Sequence, residues 1–241
     1  MVEAAGSQGG CWPVVVLHCD PDQMTYYIIN YELNGFGESG ESCNSRYDLT
    51  TACETCGTGA KLLEPLKVKG LTTCKKHLFR TLDGDWLISS ELYESVTSKI
   101  KLNLIQVENT RNQALEFWHL TTSQMLPKAD LTSSGFVTEN QCESCNRNGY
   151  FNDAVIGDLE QGRKTVIKPL KLIYSRIDLS TDIYQTWEHV GLSNKVASGN
   201  KVIRYARPWL VISERLRNLL AESELPNISY QKVEINGVQQ A

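Results

Sequence analysis

The 241-residue chain lacks the patterns that announce most enzyme classes. It has no Gly-x-x-x-x-Gly-Lys-Ser/Thr loop to cradle phosphates, no Gly-x-Ser-x-Gly nucleophile elbow and no His-Glu-x-x-His helix. Histidine is scarce, and His18, His77, His119 and His189 are scattered rather than paired. The stretch His18-Cys19-Asp20 holds nucleophile-capable types, but such partners meet in space and not by adjacency, so it reads as structural. Excess basic charge is also missing. A formal net charge of −4 argues against a phosphate-backbone footprint, so nucleic acid is not an expected partner. Long apolar runs are absent, and Trp12–Leu17 is far too short to span a bilayer. Met1–Gly10 is Gly/Ala-rich with no positive region ahead of an apolar one, so no secretory signal is read there. The expectation is a cytoplasmic, non-enzymatic protein with no membrane partner, disordered over 1–10.

What the chain does have is cysteine: Cys11, Cys19, Cys43, Cys53, Cys56, Cys74, Cys142 and Cys145. With 41% hydrophobic residues it can build a core without disulfides, so the even count is not read as a disulfide framework. Two pairs stand out: Cys53-Glu-Thr-Cys56-Gly57 and Cys142-Glu-Ser-Cys145-Asn146. Each is a Cys-x-x-Cys followed by a residue that tolerates a left-handed backbone. That is the chemistry of a zinc knuckle, a tight turn that aims two thiolates at one ion. Two knuckles complete a closed, structural four-thiolate site.

Hydrophobic patterning predicts an α+β fold of mostly antiparallel strands with short helices. Strands are expected at Pro13–Leu17, Met24–Leu33, Lys61–Lys69 (bent at Pro65), Trp86–Ile88, Leu102–Val107 and Ala114–Thr121. Further strands are expected at Thr165–Tyr174, Asp182–Glu188, Trp209–Ile212 and Ile228–Ile235. Lys75–Leu82 reads as one or two helical turns, Gly191–Asn200 as an exposed loop, and Asn236–Ala241 as a frayed tail. Ser90 is the expected N-cap of a helix carrying Leu92, Val96 and Ile100 on one face, and Glu214–Glu222 a second helix.

The two halves match in order. Trp86-Leu-Ile-Ser-Ser-Glu91 aligns without a gap to Trp209-Leu-Val-Ile-Ser-Glu214, and Pro65-Leu-Lys-Val68 resembles Pro169-Leu-Lys-Leu172. This predicts two diverged repeats, a module at 11–125 with its knuckle at 53–57 and a module at 126–241 with its knuckle at 142–146. The matched tryptophans are then expected at equivalent buried places.

Three ligand assignments compete. Both knuckles could share one zinc through Cys53, Cys56, Cys142 and Cys145. Alternatively, Cys53 and Cys56 could pair with Cys74 and His77, whose seventeen-residue spacing suits a local zinc site. Or no metal binds and the thiols are small core residues. The repeat favours the first, because a two-fold arrangement brings equivalent knuckles together, and its ion would be one structural zinc. A thioredoxin-type redox role would need a helix directly after the motif, where Gly or Asn and extended chain follow instead. Basic residues gather near Lys195, Lys201, Arg204, Arg207, Arg215 and Arg217. They read as a solvated surface, with a zinc-ribbon nucleic-acid-binding or regulatory role as the alternative.

The doubled motif, carried by Cys53-Glu-Thr-Cys-Gly57 and Cys142-Glu-Ser-Cys145, resembles the double-CXXCG motif family. That family was first noticed as a paralogous set in myxobacteria and includes immunity proteins of the swarming-inhibition toxin system. Trp209–Leu220 followed by a strand also looks like the C-terminal signature of related immunity-type domains. Asn146 departs from the family's second glycine but can take the same backbone. The resemblance implies a cytosolic immunity protein whose partner is a cognate protein toxin.

Overall fold

The computed structural model describes residues 25–31, 35–72, 74–130, 132, 134–151, 156–158, 163–165, 171–175, 177, 179–191, 196–198, 201–203, 206–223, 225 and 227–236. The expected segment 1–10, the strand Pro13–Leu17, Cys11, His18, Cys19 and the tail from 237 lie outside them, as do Pro169 and Leu170 of the 169–172 match.

The fold is mixed α+β and mostly strand. The earlier strands are β1 Tyr26–Tyr31, β2 Glu38–Ser39, β3 Tyr47–Asp48, β4 Lys61–Leu62, β5 Lys67–Lys69, β6 Leu78–Arg80, β7 Trp86–Ser89, β8 Ile105–Asn109 and β9 Ala114–His119. The later ones are β10 Ile156–Asp158, β11 Arg163–Thr165, β12 Ile173–Ser175, β13 Ile183–Val190, β14 Val196–Ser198, β15 Lys201–Ile203, β16 Arg207–Ser213, β17 Ile228–Lys232 and β18 Glu234–Asn236. Helix α1, Ser90–Thr97, follows β7, and helix α2, Glu214–Ala221, follows β16.

Two sheets dominate: a six-stranded one in the order β2-β5-β8-β9-β7-β6 and a four-stranded one in the order β13-β16-β1-β17. Part of the larger sheet, β6-β7-β9-β8, has the same order and antiparallel directions as the smaller. The register agrees across the central pair. Leu87, Ile88 and Ser89 face His119, Trp118 and Phe117, while Val211, Ile212 and Ser213 face Ile28, Tyr27 and Tyr26. Thus β1 fills in the second sheet the place that β9 fills in the first, and a division of the chain at 125/126 leaves β1 with the far sheet.

Side chains alternate across each sheet and so feed separate cores. The central core holds Trp86, Ile88, Leu92 and Val96 from one unit, with Leu210, Ile212, Leu216 and Leu220 from the other. On the far side of the first sheet, Leu87 packs with Leu66, Val68, Phe79 and Phe117. On the far side of the second, Val211 and Trp209 pack with Tyr26, Tyr150, Tyr174 and Leu172. The two helices therefore meet in the middle, tied also at the surface by Lys99 Nζ and Glu222, 2.6 Å apart.

Four expectations are corrected here. The N-cap of α1 is Ser89, whose hydroxyl accepts from the Leu92 amide, and not Ser90. The equivalent cap of α2 is Ser213, which accepts from the Leu216 amide. Matching the caps pairs Trp86 with Leu210, so the gap-free match of the tryptophans is one residue out of step across strand and helix. In a strand one residue changes the face. Both tryptophans are buried, but Trp86 lies in the central core and Trp209 in the outer one. Lys75–Leu82 is not helical: Leu78–Arg80 forms β6 and pairs with β7, because Asp83-Gly84 turns the chain into a hairpin that buries Leu78 and Phe79 on opposite faces. Within the expected loop Gly191–Asn200, Val196–Ser198 is a strand paired with Lys201–Ile203.

Candidate metal centre

Both knuckles take the backbone that their sequences call for. Gly57 has φ 72° and Asn146 φ 53°, the left-handed conformation that curls each chain back beneath its sulfurs. The Gly57 amide donates to the Cys53 carbonyl at 2.7 Å, and the Asn146 amide donates to the Cys142 carbonyl at 2.8 Å. Each loop is closed at its base in its own way. Cys53 N–H donates to the Thr58 carbonyl at 2.9 Å. Cys142 N–H donates to Asn148 Oδ1 at 2.8 Å.

The tertiary fold then sets the loops face to face, each residue opposite its counterpart. Cys53 and Cys142 sulfurs lie 3.8 Å apart, and Cys56 and Cys145 sulfurs 3.6 Å apart. The hydroxyls of Thr55 and Ser144 hydrogen-bond at 2.8 Å. All three pairs are separated by 89 residues of chain. All four sulfurs fall within 4.8 Å of one another, close enough to bind one metal ion.

The separations discriminate between chemistries. A disulfide needs sulfurs about 2.05 Å apart, and all four cysteines are free thiols. A tetrahedron of sulfurs about 2.3 Å from one zinc has edges of about 3.8 Å, which the two cross-knuckle distances match. Four thiols this close cannot all ionise without a cation between them. Burial raises Cys53, but the amides of Cys56 and Thr55 and contacts with the Cys56 and Cys145 thiols bring it down to about 7. Cys145 is pushed well up, first by burial and then by sharing a proton with Cys56. A divalent ion removes that conflict, so the donor set suits zinc.

Residues behind the sulfurs complete the fit. Asn148 Nδ2 donates to Thr58 Oγ1 at 3.3 Å, and Thr58 Oγ1 lies 3.1 Å from Cys56 Sγ. The Cys56 thiol donates to Thr58 Oγ1, which thus accepts from both groups; were Cys56 ionised, the Thr58 hydroxyl would have its own proton to give to the thiolate. The sequence reading missed Thr58, Arg147 and Asn148. Their position directly after each knuckle was the available signal, since a turn that presents sulfurs must also hide its own amides.

The rival ligand set is not assembled. Cys74 packs against the Leu66–Phe79 core, and His77 Nδ1 lies 3.0 Å from Ser89 Oγ. Among the described residues, the four knuckle cysteines form the group with ligating atoms in reach of one ion. The basic cluster is also dispersed. Lys195 and Arg204 lie outside the described residues. Arg207 is an interior residue, 3.3 Å from both Asp85 and Glu41. Arg215 pairs with Asp182, and Arg217 lies over the Tyr27 ring at 4.7 Å. Among the described residues no helix is long and apolar enough to cross a membrane.

No family model, curated protein or solved structure matches the chain.

Proposed function

We propose that the chain is a non-enzymatic binding protein stapled by one structural zinc ion at Cys53, Cys56, Cys142 and Cys145, and that it is an immunity protein neutralising a cognate toxin by direct binding. The observation that supports this reading is the closed four-sulfur cluster joining segments 89 residues apart. Such a cluster leaves no coordination position for substrate, so its contribution is rigidity. A protein that presents one fixed surface binds without an added ordering cost, which suits a toxin antidote. The motif carrying the resemblance to the double-CXXCG family is the same motif that builds the cluster. We also read the two units β6-β7-α1-β8-β9 and β13-β16-α2-β17 with β1 as a diverged duplication, in which an N-terminal strand replaces the last strand of the second copy.

The test looks for a polymorphic toxin gene beside the gene for this chain and pairs the chain with its product. The expected result is a stoichiometric complex of the zinc-loaded protein and survival of cells that produce both. Absence of a complex, together with unaltered toxicity, would sink the immunity reading. Copurification of one zinc per chain tests the staple separately.

A further inference from the structure

The knuckles oppose each other so that each sulfur meets a sulfur of different exposure. Cys53 is half-buried and faces Cys142, which is 8% exposed, at 3.8 Å. Cys145 is half-buried and faces Cys56, which is 3% exposed, at 3.6 Å. Each facing pair therefore holds one sulfur open to a small solute and one shielded sulfur within reach of it. A disulfide needs about 2.05 Å between its sulfurs, so each pair must close by less than about 2 Å.

Contacts that bypass the sulfurs hold the knuckles in this position. At the tips, Thr55 Oγ1 and Ser144 Oγ hydrogen-bond at 2.8 Å. Behind the sulfurs, Asn148 Nδ2 donates to Thr58 Oγ1 at 3.3 Å. Arg147, directly after the second knuckle, brings its Nη1 against Gly59 beside the first, where an added Cβ would stand 2.8 Å away. The facing thiols are thus kept near each other by three separate contacts, and such proximity speeds a displacement between them. Among the described residues the remaining cysteines are placed otherwise: Cys43 is fully buried, and Cys74 packs against the Leu66–Phe79 core.

We propose that the four-cysteine cluster is also a redox site: a hydroperoxide converts it into two cross-knuckle disulfides, Cys53–Cys142 and Cys56–Cys145, which take over the staple when the sulfurs give up their ion. The sulfur of Cys53 or Cys145 attacks one peroxide oxygen, the O–O bond breaks, and a sulfenic acid forms as hydroxide leaves. The facing sulfur of Cys142 or Cys56 then attacks the sulfenic sulfur, forms the S–S bond and releases a second hydroxide. Each pair gives up two electrons and one peroxide accepts them. Four thiolates and two molecules of hydrogen peroxide so yield two disulfides and four hydroxides. Disulfide sulfurs carry no charge to hold a metal, because thiolate is the ligand form. Cross-knuckle pairing keeps segments 89 residues apart joined, whereas disulfides closed within each Cys-x-x-Cys would leave them unlinked. This chemistry requires only the sulfur positions, and neither a toxin nor a bound ion.

The experiment treats the zinc-loaded and the chelator-stripped full chain with hydrogen peroxide, blocks the remaining thiols and maps disulfides by mass spectrometry without reduction. Three double variants separate geometry from metal. Cys53→Ser with Cys142→Ser keeps one facing pair, Cys53→Ser with Cys145→Ser keeps a diagonal pair, and Cys142→Ser with Cys145→Ser keeps one knuckle. In wild type the expected result is loss of four thiols and of any bound zinc, peptides of the two knuckles linked, and recovery of the thiols with dithiothreitol. The facing-pair variant should form its disulfide faster than the other two. Amide exchange at Gly57 and Asn146 should be slower in the oxidised chain than in the reduced, stripped one. Unreacted thiols, disulfides within each knuckle, links to Cys11 or Cys19, or sulfinic acid as the main product would overturn the proposal. So would a facing-pair variant no faster than the diagonal one, with folding checked by near-ultraviolet circular dichroism. If the variants do not fold, fragmentation of the linked wild-type peptides decides the pairing. A chain that takes up no zinc yet forms both cross-links would uphold the redox site and overturn only the zinc reading.

Discussion

The sulfurs of Cys56 and Cys145 stand 3.6 Å apart although 89 residues separate them in the chain. Neither residue is brought there by its own loop. The knuckles are placed by the strands and cores that carry them, and an ion between them would close a long loop and couple metal binding to folding. Cys53→Ser and Cys142→Ser should therefore each abolish binding of one zinc per chain, whereas Cys74→Ser and His77→Ala should leave it intact. Metal analysis of the four purified variants checks this. Zinc kept by Cys142→Ser but lost from Cys74→Ser would restore the local ligand set.

Chelation should also loosen the region around the knuckles. Hydrogen exchange on metal-free protein is expected to rise at the amides of Gly57 and Asn146, whose hydrogen bonds depend on the turn holding its shape. Amides of α1 and α2 in the central core should change far less. Uniform exchange at both places before and after metal removal would mean that the ion contributes no rigidity.

The capping serines give a local test of the corrected alignment. Ser89→Ala and Ser213→Ala should each cost about 0.5–2 kcal/mol, the usual range for an N-cap. The Ser213 variant should sit at the upper end, because that hydroxyl is fully buried and also donates to Asp182 at 2.6 Å. Ser90→Ala should cost less, losing only an acceptor for the Trp118 indole at 3.3 Å. Denaturant unfolding compares the three, and a larger loss for Ser90 than for Ser89 would return the cap to the gap-free match.

Trp86 and Trp209 are 4% and 3% exposed but belong to different cores. Each alanine variant should lose about 3–5 kcal/mol. The paired variant, if it folds, should show losses that add within about 0.5 kcal/mol, since among the described residues the two side chains fall in separate clusters. Strong coupling would place them in one cluster after all.

The interior charge group predicts a direction with pH. Burial lowers the His119 pKa below its ordinary 6.5, with Asp85 opposing and Arg207 assisting. Asp85 is raised by burial, but Arg207, His119 and Ser39 outweigh that and hold it below 3.8. Both groups bind protons more readily when unfolded, so stability is full at neutral pH and falls as pH drops, first through histidine and then through aspartate. His119→Gln should flatten the upper part of that fall, between about pH 7 and pH 5. Denaturant midpoints across that range decide it, and an unchanged slope would remove His119 as the cause.

Much of the site was legible because its chemistry is local. Cys-x-x-Cys-Gly57 and Cys-x-x-Cys-Asn146 each specify a turn, and the left-handed residue after the second cysteine follows from hard-sphere backbone limits. Strand and helix positions after Trp86 and Trp209 were legible for the same reason, since alternation and an N-cap act over a few residues. What the sequence could not determine by itself is which loops meet. Spacing favoured Cys74 and His77, yet Phe79 and Leu87 hold that segment in a core away from the knuckle. The Ser89-Ser90 doublet offered two cap registers of equal local quality. Only packing chose between them, because the central core must receive Ile88 and Leu92 together with Ile212 and Leu216. The place of β1 was likewise decided by tertiary structure: Tyr26–Tyr31 reads as a strand anywhere, and its position between β16 and β17 pairs the backbone on both of its edges while its two faces feed different cores. Arg147 was invisible for the deepest of these reasons, since a side chain of one knuckle meets Gly59 beside the other only where the folded chain brings them together.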